Sequence, residues 1–71
     1  MTETIVDARG LKCPWPALRL AKAMRGANHV RISADDPQAP AEFRALCREH
    51  GWSILAEATD FIIKRPLEAK S

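Results

Sequence analysis

The sequence contains few of the residues that build metal sites or disulfide frameworks. Its 71 residues include 2 cysteines and 2 histidines, and the cysteines, Cys13 and Cys47, lie far apart in the chain. This spacing matches neither a CxxC redox pair nor the ligand pattern of a zinc site. The sequence therefore predicts no metal site, and the lack of a resolving cysteine beside Cys13 argues against a disulfide reductase.

Long apolar segments and strong charge are also missing. Apolar runs such as residues 61–63 are far too short to span a bilayer, and residues 1–4 lack the basic and apolar regions of a signal peptide. The net charge of +2 is too small to indicate a polyanionic partner. We therefore expect a cytoplasmic protein without membrane contact, in a compartment where thiols stay reduced.

The chain does contain an alternating pattern of short strands and amphipathic helices. We expect one small domain over residues 1–71, because a chain of this length builds a single core. Alternation and β-branched residues predict strands at residues 4–7, 29–34, 52–57 and 61–65. Amphipathic periodicity predicts helices at residues 14–25 and from about residue 37 to residue 50, the second with Asp36 as its N-cap.

The order of these elements is β-α-β-α-β-β. Right-handed crossovers would place both helices on one face of the sheet, and the three-residue connection 58–60 predicts an antiparallel hairpin. The predicted fold class is therefore α/β (α+β), a two-layer sandwich with a four-stranded mixed sheet. The other sheet face would stay partly wet, and residues 67–71 look unstructured. The candidate exposed residues of that face are Arg31, Ser33, Ser53 and Lys64.

The run Cys13-Pro14-Trp15-Pro16 is the most informative segment of the chain. Proline is favoured at the first helical position, and both prolines fall in a first turn whose N–H groups have no intrahelical partner. Good helix formers follow from residue 17 to residue 25. The pattern therefore predicts that the Cys13 thiol stands at the N-terminal end of a helix.

This placement predicts an acidic thiol. A helix N-terminus carries roughly +0.5 charge, and Lys12 and Arg9 lie close to Cys13 in sequence. Both features lower the pKa of a cysteine. We also expect the N–H groups of Trp15 and Ala17 to point towards the sulfur, since the prolines have none to donate.

Other side chains have structural and functional interpretations that the sequence leaves open. Cys47 lies on the apolar face of the second predicted helix and is expected to be inert packing. Asp7 is expected to bond loop N–H groups rather than to act as a base. Trp15 falls on the solvent side of its helix, as a binding anchor or as a cover for the loop. The predicted basic rim around the thiol, which is otherwise an ordinary solvated face, consists of Arg9, Lys12, Arg19 and Lys22.

The string Asp7-x-x-Gly10-Leu11-x-Cys13-Pro14-x-Pro16 resembles the signature of the TusA-like (SirA-like) sulfur-carrier family. The stretch 34–37, followed by Cys47, supports the resemblance, which runs from about residue 4 to residue 65. The resemblance implies the same fold and a persulfide on Cys13. The other motif residues would shape the site: Asp7, Gly10, Leu11, Pro14 and Pro16.

The resemblance also implies the partners of the reaction. The donor would be a cysteine desulfurase or rhodanese-like protein, the acceptor another protein, and no cofactor would be needed. Family roles include tRNA thiolation, molybdenum-cofactor biosynthesis and sulfur oxidation.

We expect the protein to be a monomer. The alternative function is that of a small, non-catalytic regulatory module that binds protein or RNA. The low net charge and the absence of paired aromatic residues on a strand argue against RNA binding.

Overall fold

The six elements follow the predicted order. The computed structural model describes residues 3–66, so the prediction for residues 67–71 lies outside the described residues. The elements are β1 (Thr4–Asp7), α1 (Trp15–Arg25), β2 (His29–Ser33), α2 (Ala39–His50), β3 (Ser53–Glu57) and β4 (Asp60–Lys64). Within residues 3–66, no helix is long and apolar enough to cross a bilayer.

The four strands form one mixed sheet in the order β1-β2-β4-β3. β1 pairs with β2 in parallel, while β4 pairs antiparallel with both β2 and β3. This arrangement confirms the predicted fold class.

Both helices pack on the same face of the sheet. Val30 and Ile63 are directly paired across β2 and β4, so their side chains point to one face. Both are fully buried in one cluster that also contains Leu20 of α1 and Phe43 of α2. The Phe43 ring meets the Phe61 ring edge to face, with centroids 5.1 Å apart and planes at 70°. The core is therefore a single apolar layer between the sheet and the helix pair.

The second helix begins later than predicted. Gln38 rather than Asp36 is the N-cap, and α2 starts at Ala39. A start at residue 37 would require Pro40 to donate the first intrahelical hydrogen bond, and proline has no N–H. Asp36 instead forms the turn before the helix, where its carboxylate accepts a bond from the Gln38 N–H at 3.2 Å.

The hairpin between β3 and β4 is tighter than predicted. Asp60 belongs to β4 and pairs with Glu57, which leaves a two-residue connection with Ala58 at a φ of 56°. The Asp60 carboxylate is held by the Ser33 hydroxyl at 2.6 Å and by Arg31 at 3.1 Å. These contacts to β2 draw Asp60 into the sheet.

Neither helix covers the opposite face of the sheet. Ser53 and Lys64 are exposed there, as predicted, whereas Arg31 and Ser33, also predicted to be exposed, are half-buried. The guanidinium of Arg31 lies 3.1 Å from Asp60, 3.5 Å from Glu3 and 3.6 Å from Glu57. The sequence interpretation missed the exposed apolar side chains of this face, among them Ile5 and Leu55.

The ends of the two helices offer a matched test of backbone conformation. Gly51 ends α2 at a φ of 75°, and Gly26 ends α1 at a φ of −115°. A Cβ would meet no heavy atom within 4 Å at either position. We expect Gly51→Ala to lower the free energy of unfolding by about 1 kcal/mol, because only its φ lies in the left-handed region.

The measurement is urea denaturation followed by circular dichroism. Gly26→Ala is the control and should leave stability unchanged or raise it by up to about 1 kcal/mol. Equal losses in the two variants would contradict this account.

Candidate active site

Both helices begin at the same edge of the sheet. β1 and β2 are parallel and each leads into a helix, so the two helix N-termini lie beyond the carboxyl ends of this strand pair. That edge is the usual ligand-binding edge where parallel strands lead into helices. Cys13 lies in the loop before α1, and Asp36 lies in the loop before α2.

Backbone and side-chain hydrogen bonds hold the Cys13 loop against the second loop. Gly10 has a φ of 84° and donates its N–H to the Asp35 carboxylate at 2.9 Å. The Ala8 N–H donates to the Ser33 carbonyl at 2.7 Å. Leu11 is half-buried against the core. Gly10 and Leu11 therefore fix the path of the loop from the end of β1 to Cys13.

Asp7, the last residue of β1, forms an ion pair with Arg9 in this loop. The Asp7 carboxylate accepts the backbone N–H of Arg9 at 3.1 Å and its guanidinium at 3.0 and 3.1 Å. The guanidinium bonds, followed by the backbone bond, lower the pKa of Asp7 to about 2. Asp7 thus makes the expected bond to a loop N–H, and the charge of Arg9 is largely committed to it.

Cys13 is exposed and its thiol contacts the second helix. The Cys13 Sγ donates a hydrogen bond to Oε2 of Glu42, a residue in the first turn of α2. The Cys13–Pro14 peptide bond is cis, Pro14 is the N-cap of α1, and Pro16 is buried in its first turn.

The prediction of an acidic thiol was wrong. The hydrogen bond to Glu42 raises the pKa of Cys13, and desolvation and the negative charges of Glu42 and Asp36 raise it further. The Trp15 N–H, expected to face the sulfur, donates instead to the Lys12 carbonyl at 2.8 Å. Lys12 and the start of α1 were visible in the sequence, but Glu42 reaches the site only through the fold.

Cys47 differs from Cys13 in its exposure to solvent. It is 1% exposed, among the apolar side chains of the core, and burial raises the pKa of its thiol. Both cysteines are free thiols. The structure therefore confirms that Cys47 packs the core.

Trp15, which the sequence offered as a binding anchor or as a cover for the loop, lies on the outer face of α1. Trp15 is 60% exposed and Leu18 is 52% exposed. They line a shallow pocket together with Arg19 and Lys22, and we call these four residues the α1 outer face. Sequence reasoning missed Leu18, although its position three residues after Trp15 places both on one side of a helix.

Acidic side chains at this edge are engaged in loop contacts. Asp35 accepts from Gly10, and Asp36 accepts from Gln38. In the part of the chain that the structure describes, no three His, Cys, Asp or Glu residues form a group that could hold a metal ion.

Comparison with known proteins assigns this arrangement to a family. A family model described as "Sulfurtransferase TusA" matches residues 4–64. The chain belongs to the TusA family. It is also similar to two curated relatives, from Neisseria meningitidis serogroups A and B, each named a "putative sulfur carrier protein". Each is 40% identical over 58 residues, which cover 78% of this chain and 78% of the relative.

The contact with Glu42 predicts a thiol that is less acidic than an ordinary cysteine. In a Cys47→Ala background, the rate of Cys13 alkylation by iodoacetamide should rise with pH to a midpoint above that of an unstructured cysteine peptide. The reason is that the thiolate, which is the nucleophile, forms next to a carboxylate. A midpoint at or below that of the peptide would contradict the observed site geometry.

Proposed function

We propose that the protein is a sulfur carrier that accepts sulfane sulfur as a persulfide on Cys13 and passes it to a partner protein. The observation that carries this proposal is the separation of its two thiols. Cys13 is exposed at the edge where both helices begin, whereas Cys47 is buried in the core. Membership of the TusA family supports sulfur transfer as the activity, and the site offers one exposed thiol to perform it.

The transfer is an exchange between sulfur centres. The Cys13 thiolate attacks the outer sulfur of a persulfide, R–S–SH, on the donor. A new sulfur–sulfur bond forms at Cys13, the donor's bond breaks, and R–S⁻ leaves and takes up the proton that Cys13 gave up. Thiol and persulfide thus exchange partners without an added oxidant, by the chemistry of thiol–disulfide exchange. A second exchange of the same kind passes the outer sulfur to the acceptor.

The α1 outer face is the proposed docking surface for the donor, a cysteine desulfurase or rhodanese-like protein. Trp15 and Leu18 offer an exposed apolar patch that begins two residues after Cys13 in the chain. Arg19 and Lys22 border this patch, and Lys12, three residues before Trp15 in the chain, is exposed. The charge of Arg9 is paired with Asp7, so it contributes less to this rim. The complementary partner surface carries an apolar pocket within an acidic border.

Cys13 should acquire sulfur from a donor protein, and Cys47 should not. After incubation with a charged cysteine desulfurase or rhodanese, intact mass should rise by about 32 Da, and a reducing thiol should remove the added mass. Cys13→Ser should abolish the adduct, because its hydroxyl is no substitute for the nucleophilic thiolate. Cys47→Ala is the matched control and should retain it. Loading that survives Cys13→Ser but is lost in Cys47→Ala would overturn the assignment.

The docking surface should be detectable in transfer kinetics. We expect Trp15→Ala to weaken the apparent affinity for a charged donor protein by about 2 kcal/mol, roughly 30-fold, because a buried tryptophan anchor would be lost. Alkylation of Cys13 by iodoacetamide should stay unchanged. The double variant Arg19→Glu with Lys22→Glu should slow transfer most at low salt.

Leu55→Ala is the control for the apolar change. Leu55 is also 60% exposed but lies on the open face of the sheet, away from the helices. It should transfer sulfur normally. Normal transfer by a folded Trp15→Ala variant would rule out the α1 outer face as the anchor.

A further inference from the structure

Glu42 is the side chain of α2 that reaches the reactive sulfur. Its Oε2 accepts the hydrogen bond from Cys13 Sγ. Its other oxygen, Oε1, is buried and has no hydrogen-bond partner among residues 3–66. The carboxylate is half-buried between the starts of the two helices, so its main polar contact is the thiol itself.

The charged groups around Cys13 come from three elements. Lys12 precedes it in its own loop, Asp36 lies in the loop before α2, and Glu42 lies in α2. Asp35, in the same loop as Asp36, is bonded to the Gly10 N–H. The two carboxylates that act on the thiol, Glu42 and Asp36, both oppose its ionisation, and Glu42 is in direct contact with it.

We propose that Glu42 holds Cys13 in its thiol form in the free protein and thereby favours loading by docked donor proteins over loading by small persulfides. This inference rests on the proposed function. The thiolate is the nucleophile, so a sulfur kept protonated reacts slowly with small electrophiles that meet it in solution. A donor that places a cation against Glu42 removes this restraint, because the carboxylate then has a partner other than the thiol.

The chemistry of the transfer is otherwise unchanged. Once Glu42 is paired with the donor's cation, Cys13 gives up its proton to solvent and attacks the donor's outer sulfur. The departing donor thiolate takes up a proton. Glu42 thus favours docked donors over small persulfides, and it forms no covalent bond.

The experiment compares Glu42→Gln with Glu49→Gln. Both variants remove one negative charge from α2, but Glu49 is exposed in the last turn of the helix, far from its first turn. In a Cys47→Ala background, the pH midpoint of Cys13 alkylation is measured for each variant. The rate of loading from glutathione persulfide at pH 7 is then measured by intact mass, and circular dichroism verifies the fold.

Glu42→Gln should lower the midpoint and Glu49→Gln should not. Each unit of that shift raises the thiolate fraction at pH 7 about tenfold, while the intrinsic nucleophilicity of the thiolate falls about threefold. Loading from glutathione persulfide should therefore become about three- to fourfold faster for each unit. Glu42→Asp, which draws the carboxylate back by one methylene, should shift both quantities in the same direction and serves if Glu42→Gln does not fold.

The outcomes separate this inference from the proposed function. If the folded Glu42 variants keep the parent midpoint, or if Glu49→Gln shifts it equally, the role of Glu42 is overturned while loading of the parent protein still supports a carrier. If the parent protein never acquires sulfur from either a donor protein or glutathione persulfide, the carrier function fails. A lowered midpoint in Glu42→Gln would still establish the restraint on the thiol.

Discussion

The parallel pairing of β1 with β2 is the constraint on which the site depends. Because the strands run in the same direction and each leads into a helix, both helix N-termini must start from one edge of the sheet. The Cys13 loop and the Asp35–Asp36 turn are thereby neighbours, although they are distant in sequence. A hydrogen bond of 2.9 Å from the Gly10 N–H to the Asp35 carboxylate joins these two segments.

Two helix N-termini at one edge make it favourable for anions, yet the thiol there is not acidic. A helix end contributes roughly half an elementary charge, spread over its first turn. Glu42 contributes a full negative charge in hydrogen-bond contact with Sγ, and Coulomb energy scales with charge and falls with distance. The contact therefore outweighs the dipole. A site that looks electropositive in sequence is locally acidic in the folded chain.

The fold was predictable because its determinants are local. Alternation marks the strands, amphipathic periodicity marks the helices, and handedness then places both helices on one face. One boundary failed because a distant contact decided it: Ser33 and Arg31 hold Asp60 in the sheet. The start of α2 failed for a local reason, since Pro40 has no N–H to donate.

The same division applies to the candidate site. Cys13 and its loop residues form one continuous motif, so the sequence could name them as candidates. Glu42 belongs to no sequence motif, and its contact with Cys13 follows only from the meeting of two helix starts. The topology itself was a usable signal, since an acidic residue in the first turn of the second helix had to lie near this edge.

The two thiols also show that one fold can raise the pKa of a cysteine in two different ways. Burial raises the pKa of Cys47, and undoing that effect would require the side chain to leave the core. A surface carboxylate raises the pKa of Cys13, and any group that binds Glu42 more strongly than the thiol does would undo it without moving the backbone. A carrier has to be unreactive between partners and reactive beside them. A removable contact at an exposed sulfur satisfies both requirements, whereas burial satisfies only the first.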